Sequence, residues 1–257
     1  MAKIGNAAGL NQSVVAAMRI LETLAEQGPL GVTAMARHLG IPKARSHRHL
    51  KTLSATGFVT QDSETDRYRI GVKFWIVGRS VAWQFDYLKA VQAIVPGLRD
   101  ELGHTVVVGI VDDDHVVAIE TFQGTSDVKI NVLPGTRFDL HTSALGKVAL
   151  AFGDDTLLER TLARTLVRQT PRTKIAPAEI RKEVESIRHC GWGANPDESV
   201  VGFNALAAPV FQAGGSLVGV ICAVDSLQYL PATPSPQQIK RVMETAARLS
   251  RELGHTP

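Results

Sequence analysis

Leu39-Gly-Ile-Pro-Lys-Ala-Arg-Ser-His-Arg-His-Leu-Lys-Thr-Leu53 decides how the first third of the chain folds. Gly40 can take the tight-turn backbone that ends one helix, and Pro42 suits the first turn of the next, where its missing N–H is not needed. In that next helix Ser46, Leu50 and Leu53 fall at i, i+4 and i+7 and can face a core. Arg45, Arg48 and Thr52 recur at i, i+3 and i+7 on the opposite side, so a cationic face points outward. Upstream, Ser13 is placed to cap a helix whose apolar residues Val14, Ala17, Met18, Leu21, Leu24 and Ala25 recur at helical steps until Gly28-Pro29. Thr33 is the expected cap of a short helix carrying Met35, Ala36 and Leu39. Downstream of Gly57, Phe58-Val-Thr60 and Tyr68-Arg-Ile70 are strand-like runs around a polar turn, which predicts a hairpin. Three helices followed by a hairpin predict a winged helix-turn-helix. Such a module puts a helix in the major groove, where arginine reaches guanine edges or phosphates. A three-helix protein-interaction module is the competing reading of the same helices.

Charge favours the nucleic-acid reading. Residues 1–81 hold eleven Lys and Arg against five Asp and Glu, a net +6, while residues 82–257 hold 17 against 20, a net −3. No acidic residue lies between Gln27 and Gln61, the window that contains Arg37, Lys43, Arg45, Arg48 and Lys51. One-sided charge of this kind is the footprint of a polyanion binder. The 257 residues, 44% apolar and 21% charged, suit one or two globular domains. No run of about 20 apolar residues is available for a membrane span, and Met1 to Gln12 lacks a basic segment followed by an apolar run, so a cytoplasmic protein is expected. Cys190 and Cys222 are too few for a disulfide framework, and each is expected to be a small packed side chain.

Beyond the hairpin, Gly71 to Phe85 carries Val72, Trp75, Ile76, Val77 and Val81 at mostly helical spacing and predicts a linker helix able to pack on a partner subunit. A second helix is expected over Asp86 to Leu102. Strands are predicted at Val106–Val111, Val116–Ile119, Lys129–Leu133, Ala205–Phe211 and Leu217–Val224, and helices at Thr142–Phe152, Pro177–Cys190 and Ser235–Leu253, in a single α/β layer. An enzyme with a nucleic-acid tether is the rival from another class. Its candidates are His141 with Ser143, Asp112 to Asp114, and Asp197-Glu198 with Cys222. The aspartates most simply turn a hairpin, and neither a Gly-x-Ser-x-Gly elbow nor a phosphate-binding loop is present. The His, Asp and Glu residues do not form a strong metal-ligand pattern, so neither metal, cofactor nor catalytic residue is expected.

The run from Leu39 to Leu53, with Gly57-Phe-Val59 and Tyr68-Arg-Ile-Gly71, resembles the helix-turn-helix and wing of the IclR family of bacterial transcription regulators. Pro134-Gly-Thr-Arg137, His141-Thr-Ser-Ala-Leu-Gly-Lys147, Gly191-Trp192 and Ala207-Ala-Pro-Val-Phe211 resemble successive signatures of that family's effector domain, and the likeness runs from about Ser13 to Leu253. It implies an α+β architecture: a winged helix-turn-helix over 1–72, a linker helix over 73–85, and a GAF-like α/β sensor and oligomerisation domain over 86–257. The implied partners are a pseudo-palindromic double-stranded DNA operator, a small organic acid, and further copies of the chain in a homodimer or homotetramer. The DNA-contacting set is Lys43, Ala44, Arg45, Ser46, Arg48, Lys51, Thr52 and the wing residue Arg69. Ala44 and Arg45 stand where the family commonly has Ser-Thr, and His49 where leucine is usual. The implied effector pocket is lined by Ile130, Phe138, Ala144 and Leu145 on one side and Asn195, Phe203, Ala205, Cys222 and Val224 on the other. That second wall is less polar than in several relatives, which implies a ligand larger or more apolar than glyoxylate or pyruvate, such as an aromatic or branched carboxylic acid. Repression and activation remain equally open.

Overall fold

The computed structural model describes residues 10–82 and 86–256, and the chain divides into two compact units, residues 1–84 and 85–257. In the first, α1 (Gln12–Gln27) starts at Asn11, whose side chain accepts from the amides of Ser13 and Val14. The cap is thus Asn11, two residues before the expected Ser13, because an asparagine oxygen caps at least as well and comes first. Helix α2 (Val32–Leu39) likewise begins after Gly31 rather than at Thr33, and ends at Gly40 with φ +66°. Helix α3 (Lys43–Ala55) buries Ser46, Leu50 and Leu53. Leu50 and Leu53 join Ile20, Leu21, Leu24, Met35, Leu39, Val59 and Tyr68 in one small core.

Strands β1 (Val59–Gln61) and β2 (Tyr68–Ile70) pair antiparallel as the wing, with Val59 opposite Ile70. Leu30 and Tyr68 exchange backbone hydrogen bonds, which ties the wing to the α1–α2 turn. Gly71 follows because a Cβ there would lie 2.3 Å from the Gly57 carbonyl oxygen. Helix α4 (Val72–Ala82) is anchored at its start: Lys73 Nζ donates to the Thr56 carbonyl at 2.9 Å, and Phe74 meets Phe58 edge-on. Val72, Trp75 and Ile76 are exposed on it. The expected linker end at Phe85 and the Val81 side chain lie outside the described residues.

In the second unit α5 (Asp86–Leu102) precedes the hairpin of β3 (Thr105–Asp112) and β4 (His115–Phe122), turned by Asp113 at φ +53°. Then come β5 (Arg137–Asp139), α6 (Ala144–Phe152), α7 (Asp155–Leu162), α8 (Pro177–Cys190), β6 (Gly193–Ala194), β7 (Phe203–Phe211), β8 (Leu217–Ser226) and α9 (Pro236–Glu252). The sheet runs β5-β4-β3-β8-β7-β6 with antiparallel neighbours throughout. Alternation assigns its two faces. Leu206, Ala208, Ile221 and Ala223 face a core with α5 and α9, whereas Ala207, Val220 and Cys222 face one with α6 and α8. The sheet is therefore sandwiched between two helical layers, a correction to the single layer expected.

Three further differences have physical reasons. Lys129–Leu133 is not a strand, because the adjacent edge of β4 is taken: Ala118 bonds Gly135 and Thr136, and β5 pairs with His115 to Val117. Three-residue β5 is too short to announce itself by alternation. Helix α7, capped by the Asp154 side chain on the Thr156 amide, was not expected at all.

Candidate DNA interface and ligand cavity

On α3 the core face and the cationic face separate cleanly. Lys43, Ala44, Arg48, Lys51 and Thr52 are exposed, Arg45 is half-buried, and Arg69 is exposed on the wing opposite Thr60. Among the described residues, none of Lys43, Arg45, Arg48 or Lys51 is paired with an acidic side chain. Thr52 Oγ1 donates to the Arg48 carbonyl, which leaves it an acceptor. Ser46 has to be withdrawn from the DNA-contacting set: it is fully buried, at the i position of the core stripe, and its hydroxyl cannot reach a groove. His49 is half-buried between the two faces, and burial first, then Arg45 and Arg48, holds its imidazole below the usual histidine value.

In the second unit a cavity of about 260 Å³ lies on the α6 side of the sheet. All nine residues named from the sequence as one pocket border it: Ile130, Phe138, Ala144, Leu145, Asn195, Phe203, Ala205, Cys222 and Val224. It exists because small side chains meet there, with Cys222 paired to Val107 across β3–β8 and Ala205 to Val224 across β7–β8. Lys129, Ser199, Val200, Val107 and Asn204 also border it and were not anticipated. Lys129 and Val200 lie outside regular elements, where no periodicity marks a side chain's direction.

The polar end of the cavity is the start of α6. Ser143 Oγ accepts from the Gly146 amide at 3.0 Å and donates to the Asp139 carbonyl at 2.8 Å. The amides of Ala144 and Leu145 have no protein acceptor among the described residues. The helix seats this closely on the segment after β5 because residue 146 is glycine: a Cβ would lie 2.4 Å from Leu140 Cα. Unpartnered first-turn amides and the helix dipole make such a terminus favourable for an anion. Cys222 adds no charge, since burial pushes its thiol up to about 12.

A buried ionic cluster braces this wall. Lys147, 2% exposed, contacts Glu198 at 2.5 Å and Glu183 at 2.9 Å, and Lys174 contacts the same carboxylates. Thr170 and Thr173 donate to the Glu198 carbonyl. The 195–199 segment is thereby tied to α6 and α8. Lys147 looks from its sequence like one more solvated lysine, so this role was not legible.

Among the described residues, neither His141 nor His104 is free to activate a nucleophile. His141 Nε2 bonds the Val167 carbonyl at 3.0 Å and holds that loop. A buried His104–Asp225 pair, 2.9 Å apart, resembles a catalytic dyad, but Gln238 Nε2 donates to its outer nitrogen, so that nitrogen is not available as a base. Among the described residues no group of three or more His, Cys, Asp or Glu is disposed to hold a metal, and no helix is long and apolar enough to cross a membrane.

Comparison with known proteins agrees with this anatomy. Residues 13–63 match the IclR helix-turn-helix domain, and residues 80–251 match the bacterial transcriptional regulator IclR C-terminal domain. The transcriptional repressor IclR of Escherichia coli K12 is 29% identical over 209 residues, 80% of this chain and 76% of that protein. The crystal structure of an IclR-type regulator from Alicyclobacillus acidocaldarius superposes with a TM-score of 0.84 at 26% identity, covering 95% of this chain and all of that one. An IclR homologue from Microbacterium hydrocarbonoxydans, complexed with 4-hydroxybenzoate, shares the fold with a TM-score of 0.83 at 17% identity, again over 95% of this chain and all of that one. With family matches across both units, the chain belongs to the IclR family of bacterial transcriptional regulators, and not to an enzyme family.

Proposed function

We propose that the carboxy-terminal unit takes a small carboxylate with an apolar or aromatic body into the cavity, and that its occupancy sets the operator affinity of the amino-terminal unit. The carrying observation is an apolar cavity that ends on the open first turn of α6. Lys129 at its border adds a cation. The Microbacterium neighbour holds an aromatic carboxylate in the same fold, which is consistent with that class. The carboxylate docks at Ser143 to Leu145, and the ligand body lies toward Phe203.

The operator is double-stranded and pseudo-palindromic, since one winged helix contacts too little DNA for regulatory specificity. Arg45 and Arg48 are its base or phosphate readers, with Lys43 and Lys51 on phosphates and Arg69 on the wing side. Two or four copies associate partly through the exposed apolar residues of α4, among them Val72 and Trp75. The domain roles in this reading are DNA binding for 1–72, linkage for 73–85, and sensing and assembly for 86–257. Such a regulator works beside the chromosome, in the cytoplasm. A ligand shifts this balance only if it binds the DNA-competent and incompetent arrangements unequally.

The test is calorimetry of the full chain with benzoate and phenylacetate, together with binding to DNA from beside its own gene. Ala144→Asp places a fixed negative charge at the docking point, and is expected to abolish the ligand response while ligand-free operator binding persists. Unchanged carboxylate affinity in that variant overturns the location.

A further inference from the structure

A second hollow in the carboxy-terminal unit shares no residue with the cavity at the first turn of α6. Its volume is about 320 Å³, within the range of roughly 300–1,000 Å³ usual for small-molecule sites. It lies where the sheet runs out of strand. Two-residue β6 pairs only with Leu206 and Ala207, so among the described residues no strand covers the edge of β7 from Ala208 to Phe211. The apolar lining comes from Phe152 and Phe211, edge-on at 5.7 Å, and from Met243, Ala246 and Ala247 of α9.

The charged part of the lining is all cationic. Arg188 and His189 come from the last turn of α8 and Arg251 from the last turn of α9, and all three are exposed. His255 follows, with its ring 5.2 Å from that of Phe211. Arg188 Nε donates to the Ala151 carbonyl at 2.7 Å, which holds the guanidinium and leaves its terminal nitrogens open. Among the described residues, the side chains of His189 and Arg251 have neither a hydrogen-bond nor an ion-pair partner. No carboxylate borders the hollow; Glu185 and Glu252, the nearest acids along these two helix ends, stand outside it. A further strand is a poor occupant, because Pro209 has no amide hydrogen and the Phe211 N–H is already donated to Ser250 Oγ at 3.0 Å.

Cations in a last helical turn can serve simply to offset the helix dipole. Here two such turns converge on one apolar hollow with open guanidinium donors and no acid. Guanidinium forks match the paired oxygens of a carboxylate or phosphate, and the aromatic and methionine walls offer contact area to whatever carries it. We infer that the hollow is a second ligand site, one that takes a small organic oxyanion, a carboxylate or phosphate on a flat apolar body, with Arg188 and Arg251 on the oxygens and Phe211 and Met243 against the body. The inference does not rest on the role of the first cavity. The two lie at opposite ends of α6, which borders the first at Ala144 and the second at Phe152.

The experiment is calorimetry of the full chain with phenyl phosphate and 2-naphthoate, beside inorganic phosphate and benzyl alcohol, which carry the head or the body alone. At least one of the first two is expected to bind about tenfold more tightly than either half-probe, and the better of them identifies the preferred head. Arg251→Glu and Ala247→Trp, both at exposed positions of α9, should each weaken that binding about tenfold or more. Should the probe also enter the first cavity, the parent takes two molecules per chain and each variant one. Unchanged affinity and stoichiometry in both variants place the probe elsewhere and overturn the inference. So does a lower melting temperature for Arg251→Glu with probe binding intact, which is the outcome for a residue that only offsets the dipole. Inorganic phosphate binding as tightly as phenyl phosphate removes the apolar walls from the site and overturns the ligand class. Absence of binding by both organic anions on the parent chain overturns the inference whether or not the variants fold. A smaller assembly for Arg251→Glu in light scattering shows that a second copy of the chain fills the hollow, and overturns it as well.

Discussion

The two units place their chemistry on opposite sides of their cores. In the amino-terminal unit Leu50 and Leu53 hold α3, while Lys43, Arg48 and Lys51 stand clear of that packing. In the carboxy-terminal unit Ala144, Leu145 and Cys222 border the cavity and are also members of the core that supports α6. A substitution on the exposed face of α3 thus costs little stability, whereas one at a cavity residue disturbs packing as well.

The largest test of this contrast is Lys147→Met. It leaves Glu183 and the buried Glu198 with the half-exposed Lys174 as their remaining cation, and removing one partner of a buried pair costs about 3–5 kcal/mol. Chemical denaturation followed by the carboxy-terminal tryptophan should show that loss, and a change below about 1 kcal/mol would contradict the bracing role. Leu50→Ala cuts the other core, at about 2–5 kcal/mol for a fully buried leucine. Operator binding should fail while carboxylate binding by the second unit survives, so a simultaneous loss of both would show that the units are not independent. Arg48→Ala sharpens the contrast from the exposed side. It should cost about 1–3 kcal/mol at a cognate guanine and leave the melting temperature unmoved. A uniform loss on all DNA, with a shallower salt slope, would reassign Arg48 to a phosphate.

The smallest effect concerns His49. Burial, Arg45 and Arg48 lower its affinity for a proton in the folded unit, whereas the unfolded chain takes one near pH 6.5. The unfolded state therefore binds more protons just below that value, so stability present above pH 6.5 declines as the pH falls beneath it. His49→Leu should flatten this part of the pH–stability curve for the amino-terminal unit. An identical slope in parent and variant would place the effect elsewhere.

Legibility followed the same division. The 3.6-residue period of α3 separated Leu50 from Arg48, because one face is wet and the other dry. Ser46 sat on the dry stripe, and its inclusion among DNA contacts ignored its own periodicity. In the second unit the central strands of the sheet are buried on both faces, so a continuous apolar run identifies a strand but cannot tell a cavity wall from packing. The nine pocket residues came from family resemblance, and position along β7 and β8 alone would not have singled out Ala205 or Cys222. Lys147 and Glu198 were illegible for another reason: they lie 51 residues apart, and only the fold brings their charges together.

The floor of the cavity and its frame are made of different materials. Ala205, Cys222 and Val224 stand on a ladder held by backbone hydrogen bonds, which any side chain that fits would preserve. The frame is held by side chains, through Lys147, Glu198 and the hydrogen bonds of Asn195 and Ser199 to the Thr142 carbonyl. Floor residues can therefore drift over generations while the frame that ties the 195–199 segment to α6 and α8 stays fixed. After gene duplication, a copy needs few substitutions, on two strands, to reshape the cavity while inheriting the same frame.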